Sequence, residues 1–406
     1  MKSRLFACAV LALSLAASPI LSRAQSPASD PSLTAHEWGT FTSIAGKDGH
    51  ATNWLPLTAS TDLPAFVEHF QGVNFKGGLR GTVRMETPVL YFYTNHAITI
   101  SVHVSFSQGL ITEWYPHANR VEPVGLQTQT RMVAYLNDWS RRQKQPDGSI
   151  SWDSIALEPN SSASLPREDH TNHYYAARQT SSTPLRIKTQ ASEQVEKFLF
   201  YRGVASFSVP MSVKLASDGK ILTQNLSAQE IPAMLVFERR GDKLGFRIAD
   251  ASAAQPTLDP PELDATMDSL KQAVEDMLIA QGLYQDEAQA MFETWRDSWF
   301  EEGSRLLYIV PRQFVDAVLP LTINPAPAKT VRVFVGRLEL VTAATQRAVE
   351  QALATHDRAT LARYNRFLVP MLESMIANEK NSTKKEEFLE YLNEVYSTQI
   401  VQNISN

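Results

Sequence analysis

The feature that most constrains this chain is a period-two alternation of apolar and polar residues, repeated through its first 258 positions. Ile98, Ile100, Val102, Val104 and Phe106 alternate with Thr99, Ser101, His103 and Ser105. Successive side chains of a strand point to opposite faces, so this pattern demands a sheet with one face in a core. Just before it, Val89, Leu90, Tyr91, Phe92 and Tyr93 form a continuous apolar run suited to a strand buried on both faces, joined through a turn at Thr94-Asn95. Leu110 opens a third strand that runs to Tyr115 and is ended by Pro116. A second block repeats the grammar: Ala205, Phe207, Val209, Met211, Val213 and Leu215 read as one strand, which Pro210 pushes toward an edge. Asp218-Gly219 and Arg240-Gly241-Asp242 carry the turn chemistry of hairpins. Short strands with polar turns predict an antiparallel β-sandwich over residues 25–258, with one or two pairs of sheets. Residues 121–192 are irregular and loop-like, broken by a hairpin around Asp147-Gly148 that puts Ile150 and Trp152 on one face.

The grammar changes at Asp259-Pro260-Pro261-Glu262. An aspartate cap, a proline at the first helical position and a glutamate three residues after the cap predict a helix start there. Leu263, Met267, Leu270, Val274 and Met277 recur at helical spacing, and Ala288, Phe292, Trp295 and Trp299 predict a second helix. Two strand-like segments follow, at residues 306–310 and 331–340. The tail is predicted helical from Thr345, with a break before Pro370 and a last helix opened by Thr383 and Glu386. Residues 259–406 therefore read as a mainly helical α+β region, and the chain as α+β overall.

The first 24 residues have a basic start at Lys2 and Arg4, an apolar stretch and a small-residue site at Ser22-Arg23-Ala24, the pattern of a cleaved signal peptide. The apolar stretch is shorter than the roughly 20 residues a spanning helix needs, so no membrane anchor is expected after cleavage. The mature protein is then expected in the periplasm or secreted. Loss of Lys2, Arg4 and Arg23 takes the 38 basic side chains to 35 against 43 acidic ones, a net charge of −8. That sign argues against a nucleic-acid partner. The single cysteine, Cys8, leaves with the leader, so the mature chain has neither disulfide nor thiolate ligand and must be held by core burial.

Three polar clusters are candidates for chemistry. His36-Glu37-Trp38 places an imidazole, a carboxylate and an indole on a first strand. Adjacent strand residues point apart, so His36 and Glu37 serve one site only if a bulge intervenes; otherwise Trp38 packs and Glu37 pairs with a base such as Arg84. Asp169, His170 and His173 form the densest run of possible metal ligands, and on a helix the two histidines would share a face for a divalent ion. The spacing lacks the His-Glu-x-x-His signature, and incidental surface histidines are the simpler reading. Glu86, Glu113, Trp114, Tyr115, Tyr174, Arg178 and Arg202 make a carboxylate, aromatic and guanidinium set. Exposed rings would stack on sugars, and paired carboxylates could hydrolyse glycosides. Phosphate loops, nucleophile elbows and dinucleotide fingerprints are absent.

The segments His36-Glu-Trp-Gly-Thr-Phe-Thr42, Arg84-Met-Glu-Thr-Pro-Val-Leu-Tyr-Phe-Tyr93, His173-Tyr-Tyr-Ala-Ala-Arg178 and Val335-Gly-Arg-Leu-Glu339 together resemble a family of exported bacterial proteins that open on a similar His-Glu-Trp-Gly-Thr-Phe-Thr stretch. The resemblance covers most of the mature chain and implies export; no activity comes with it. Two functional readings stay open. One is an envelope module that binds a glycan, peptide or protein, or serves a structural role; it is favoured because no hydrolytic signature stands out. The other is a periplasmic or secreted hydrolase, metal-dependent or acid–base, in which His36, Glu37, His170 and His173 converge. Arg178, Arg202 and Arg337 are expected either to anchor ligands or to bridge the two halves through buried ion pairs.

Overall fold

The computed structural model describes residues 29–57, 63–69, 79–122, 147–162, 164–169, 172–190, 192–249 and 256–404. In chain order the strands begin with β1 (Ser29–Ile44), β2 (Glu68–His69), β3 (Val83–Tyr93), β4 (Ile98–Phe106), β5 (Gly109–Tyr115), β6 (Arg120–Glu122) and β7 (Gly148–Leu157). A 3-10 turn at His173–Arg178 leads to β8 (Leu185–Lys188), β9 (Glu193–Glu196), β10 (Leu199–Ala205), β11 (Met211–Leu215), β12 (Ile221–Asn225), β13 (Met234–Arg240), β14 (Lys243–Ala249) and β15 (Thr257–Leu258). Then come α1 (Met267–Ile279), α2 (Gln285–Trp299), β16 (Gly303–Ile309), α3 (Arg312–Val318), β17 (Leu321–Asn324) and β18 (Ala326–Leu340). Helices α4 (Ala343–Ala354), α5 (Arg358–Ala362), α6 (Leu368–Asn378) and α7 (Ser382–Ile404) close the chain. The fold is α+β, strand-rich in its N-terminal half and with its α-helices in the C-terminal part. No helix among the described residues is long and apolar enough to cross a membrane.

Nine strands form the central sheet, in the order β14-β13-β16-β18-β1-β3-β10-β5-β2. One face packs on a sheet ordered β17-β4-β7-β8-β9, with β6 beside β7, and on a small β11-β12-β15 sheet. Phe41, Phe92 and Leu338 of the central sheet meet Val102, Trp152, Val213 and Ile221 there. The other face packs on α1, α2 and the 3-10 turn, where Trp38, Val89 and Val335 meet Leu270, Phe292, Trp299 and Tyr174. A third apolar cluster joins Ile44 and Trp54 to the tail helices through Phe367, Leu372 and Phe388. The layers are thus sheet, sheet and helix, and the central strands are buried on both faces, which is why they read as continuous apolar runs rather than alternations.

The two β blocks of the sequence do not form separate sandwiches. β3, β5, β10, β13 and β14 all lie in the central sheet, joined by β16 and β18 from beyond residue 258. The turn after Tyr93 carries the chain from the central sheet into the facing one, so β3 and β4 are sequence neighbours in different layers. Every pairing is antiparallel except β1 with β18, in register from His36↔Val331 to Ile44↔Glu339. Parallel pairing needs a long crossover, and residues 45–325 lie between these two strands.

Two expectations need correction. The alternating run from Ala205 to Leu215 is two strands, because the chain leaves the central sheet after Ala205 and enters the small sheet at Met211, just past Pro210. The helix expected at Asp259 starts at Met267, where Thr266 and Ser269 cap each other reciprocally; Thr257 and Leu258 instead pair with β12. The break expected before Pro370 is present: α5 ends at Ala362 and α6 starts at Leu368, with Pro370 in its first turn, where the missing N–H costs no helical bond. The hairpins at Gly219 and Gly241 are as expected, both glycines having positive φ. A hairpin closing at Asp147-Gly148 falls partly on residues 123–146, outside the described residues; Ile150 and Trp152 do share a buried face of β7.

Gly336 faces Tyr308 across the β16–β18 pair, and a Cβ built on it would overlap the tyrosine ring. Gly336→Ala should therefore cost about 1–3 kcal/mol by overpacking, read as a lower urea midpoint with unchanged m-value.

Candidate functional site

Because β1 is covered on both sides, its polar motif is divided between two interiors. His36 and Glu37 are both fully buried and lie on opposite faces, as strand geometry requires. His36 faces the helices: its Nδ1 lies 2.8 Å from Glu287 Oε2 on α2. The Tyr93 hydroxyl donates to Glu287 Oε1 at 2.7 Å, and the Tyr284 N–H donates to Oε2 at 2.7 Å. The Tyr284 ring lies over the imidazole at 4.4 Å between centroids. Among the described residues His36 Nε2 has no hydrogen-bond partner. Burial, and then the Glu287 charge, push the Tyr93 hydroxyl well above its ordinary range.

Glu37 faces the other sheet and pairs with Arg332, its direct neighbour across the parallel pair, at 2.5 Å; the Tyr201 hydroxyl also donates to it. Arg332 reaches on to Asp316 of α3 at 2.8 Å. Burial opposes the charge on Arg332, but Glu37 outweighs it and raises the guanidinium pKa. The expected pairing of Glu37 with Arg84 does not occur, since Arg84 lies opposite Thr42, five residues further along β1.

Arg84 belongs to a larger assembly. Residues two apart on a strand share a face, so Arg84 and Glu86 on β3 project together, as do Arg337 and Glu339 on β18. Arg84 Nε lies 3.3 Å from Glu86 Oε1, and Arg337 Nη2 lies 3.3 Å from Glu339 Oε2. Arg305 on β16 reaches Glu339 at 3.1 Å and caps the end of α2 by donating to the Trp299 carbonyl. Arg366, from the 3-10 turn at Asn365–Phe367, binds Glu86 with both terminal nitrogens, and Thr42 donates to the same carboxylate at 2.5 Å. Ser298 Oγ receives both Arg366 and Arg337, at 3.4 and 3.3 Å, and Arg337 also meets Glu301 at 2.8 Å. Further along, Arg202 and Glu113 are cross-strand neighbours of β10 and β5.

The electrostatics follow from burial. Desolvation alone would raise the Glu86 carboxyl, but the charges of Arg366 and Arg84, with hydrogen bonds from Arg366 and Thr42, outweigh it and hold the pKa at about 2. Burial lowers Arg84, helped by the nearby Arg202 charge, and burial lowers Arg305 despite Glu339. This ladder positions α2 and the tail helices on the sheet.

The aromatic and guanidinium candidates lie inside the protein. Trp38, Trp114, Tyr115 and Tyr174 are all buried and offer no exposed ring for stacking. Trp114 Nε1 donates to Glu68 at 2.9 Å, and Thr112 donates to Glu113. Arg178 holds Glu196 through Nε at 2.9 Å and Nη2 at 2.5 Å, with the Tyr175 ring 4.9 Å from its guanidinium carbon. Tyr174 donates to Glu196 at 3.1 Å. Burial lifts the Glu196 carboxyl above its ordinary value even with Arg178 against it. The arginines named from sequence thus serve as internal anchors: Arg178 and Arg337 sit in buried ion pairs, and Arg202 is buried beside Phe200 and Glu113.

Two of the metal candidates, Asp169 and His173, lie among the described residues. His173 is exposed at the start of the 3-10 turn with Nε2 2.9 Å from Asp297, Asp169 is exposed, and His170 lies outside the described residues. Among the described residues no group of three or more His, Cys, Asp or Glu side chains could hold a metal ion.

Sequence reasoning missed Glu287, Glu196, Arg305, Arg366 and Glu301. The signal available was the twice-repeated Arg-x-Glu at Arg84-Met85-Glu86 and Arg337-Leu338-Glu339, which places opposite charges on one face of two strands too apolar to be solvated.

Glu86→Gln should cost about 3–5 kcal/mol, because it leaves two buried guanidiniums short of a charge. A carboxyl held below its ordinary value of 4.5 stabilises the fold fully above that pH and progressively less as pH falls toward 2. Urea midpoints measured between pH 7 and pH 2.5 should show that acid-side loss in the wild type and a smaller one in the variant.

No protein-family model matches the chain, and no curated protein does. Among solved structures, the chain is matched to the Mu homology domain of Fcho1 from Danio rerio with a bound Eps15 peptide, at 7% identity over 77% of this chain and 97% of that one, with a TM-score of 0.28.

Proposed function

We propose that this chain is an exported, non-catalytic module of the bacterial cell envelope that binds a protein or peptide partner. The observation that carries the reading is the internal pairing of the motif residues: Glu37, Glu86, Glu196 and Glu339 each hold an arginine inside the protein. Carboxylates so engaged are buried away from any substrate, and their role is to fix layers together. Every tryptophan among the described residues is buried, which leaves a glycan without the flat indole platform it would stack on. A protein or peptide, recognised through strand edges and surface charge, fits the outside of this fold better.

One observation favours the second reading, a hydrolase. An imidazole oriented by a carboxylate on Nδ1, with Nε2 unengaged, is the arrangement of a general base. Here it is sealed beneath Tyr284, whose own exposure is 41%. The mature protein should show no turnover across ester, amide, glycoside and phosphoester substrates. Turnover that disappears in His36→Gln while cooperative unfolding is retained would establish the hydrolase and overturn the binding reading. Export has its own check: expressed with its leader in a Gram-negative host, the chain should be recovered from periplasm or medium with an N-terminus near Gln25, and an uncleaved cytoplasmic product would refute it.

A further inference from the structure

We propose that the outer edge of β14 is a strand-addition site for an extended peptide that alternates apolar and acidic residues. The proposal rests on the reading of the chain as a binding module and names the surface. β14 ends the nine-stranded sheet, and its inner side is fully paired with β13 from Met234↔Ala249 to Arg240↔Lys243. In an antiparallel ladder, alternate residues turn both backbone groups outward. The Leu244 carbonyl accepts the Ala265 N–H at 3.0 Å from outside, which fixes the parity: Leu244, Phe246 and Ile248 are the outward positions. The chain's own segment at Ala265 therefore already pairs with this edge for a single residue, and stops there. The N–H and carbonyl groups of Phe246 and Ile248 continue the same row. The opposite edge of the sheet, β2, is only two residues long and its Glu68 is engaged by Trp114 and His117.

The side chains specify the occupant. Ile248 is 63% exposed, the most exposed large apolar side chain described, and it extends the face on which Leu244 and Phe246 pack against the helical layer. Arg247, on the opposite face, is exposed, and β14 carries Lys243 and Arg247 with no acidic residue. In the register that sets Lys243 of one copy opposite Arg247 of the other, a second copy of β14 would lay basic side chains against basic ones, which disfavours that self-pairing. An added strand with an apolar residue beside Ile248 and an acidic one beside Arg247 satisfies both faces while its backbone pairs with the outward groups of Phe246 and Ile248, which have no backbone partner among the described residues, as in other strand-addition complexes.

The test uses the mature protein and fluorescein-labelled octapeptides of alternating Val-Glu, alternating Val-Lys, and the Val-Glu composition in block order, with affinity read by fluorescence anisotropy. Val-Glu in alternation should bind at least tenfold tighter than the other two. Ile248→Pro removes an outward N–H together with the exposed apolar side chain and takes no donor from the β13 ladder; it should abolish that preference with unchanged thermal unfolding. Arg247→Glu should transfer the preference to Val-Lys. Equal binding by wild type and Ile248→Pro, no dependence on the sign of residue 247, or no binding of the alternating peptides overturns the site. A random peptide display on the same protein separates the failures: binders insensitive to Ile248→Pro leave the module reading standing without this edge, whereas an empty selection removes both.

Discussion

A strand buried on both faces cannot carry a charge unless the compensating charge is also inside, and much of the architecture follows from that constraint. The central sheet packs against a second sheet on one side and helices on the other, yet its middle strands carry Glu37, Arg84, Glu86, Arg332, Arg337 and Glu339. Water cannot solvate these groups, and an unpaired buried ion costs several kcal/mol or more. Each therefore takes its partners from its own strand, from the next strand or from the layer above. The pairing fixes which elements sit where.

The consequence is a set of electrostatic bolts between layers. Arg366 joins the 3-10 turn before α6 to β3, Arg337 joins β18 to the end of α2 through Glu301, and Glu287 joins α2 to β1 through His36. On the opposite face Arg332 joins β18 to β1 and to α3. Apolar burial drives these layers together, but it is non-directional and tolerates sliding. Ion pairs with fixed geometry do not. The polar motifs set the registration of a layered β/β/α fold.

Much of the fold was legible locally. The alternation at Ile98–Phe106, the glycine turns at Gly219 and Gly241, and the apolar stripe ending in Trp299 all appear as read, because each depends on a backbone period or a local φ. The helix expected at Asp259 failed because capping residues recur at Thr266, and the strand pairing of residues 257–258, a long-range contact, won over the local signal. The divergence of His36 and Glu37 was foreseeable from strand geometry; the identities of Glu287 and Arg332 were not, because both are contributed from more than 200 residues away in sequence.

The alternation of faces, the strand-then-helix order, the absence of any intrachain disulfide in a chain with one cysteine, and the positions of the charges were all fixed by the order of residues alone. These are properties of neighbours a few positions apart, set by the pleat, the helical turn and covalent chemistry. It took the long-range packing to settle that two β blocks share one sheet, that β1 lies parallel to β18, and that His36, Glu37, Glu86 and Arg178 are paired in the interior. Those outcomes depend on which distant surfaces bury each other, and a charge's partner is fixed by that burial rather than by its position along the chain.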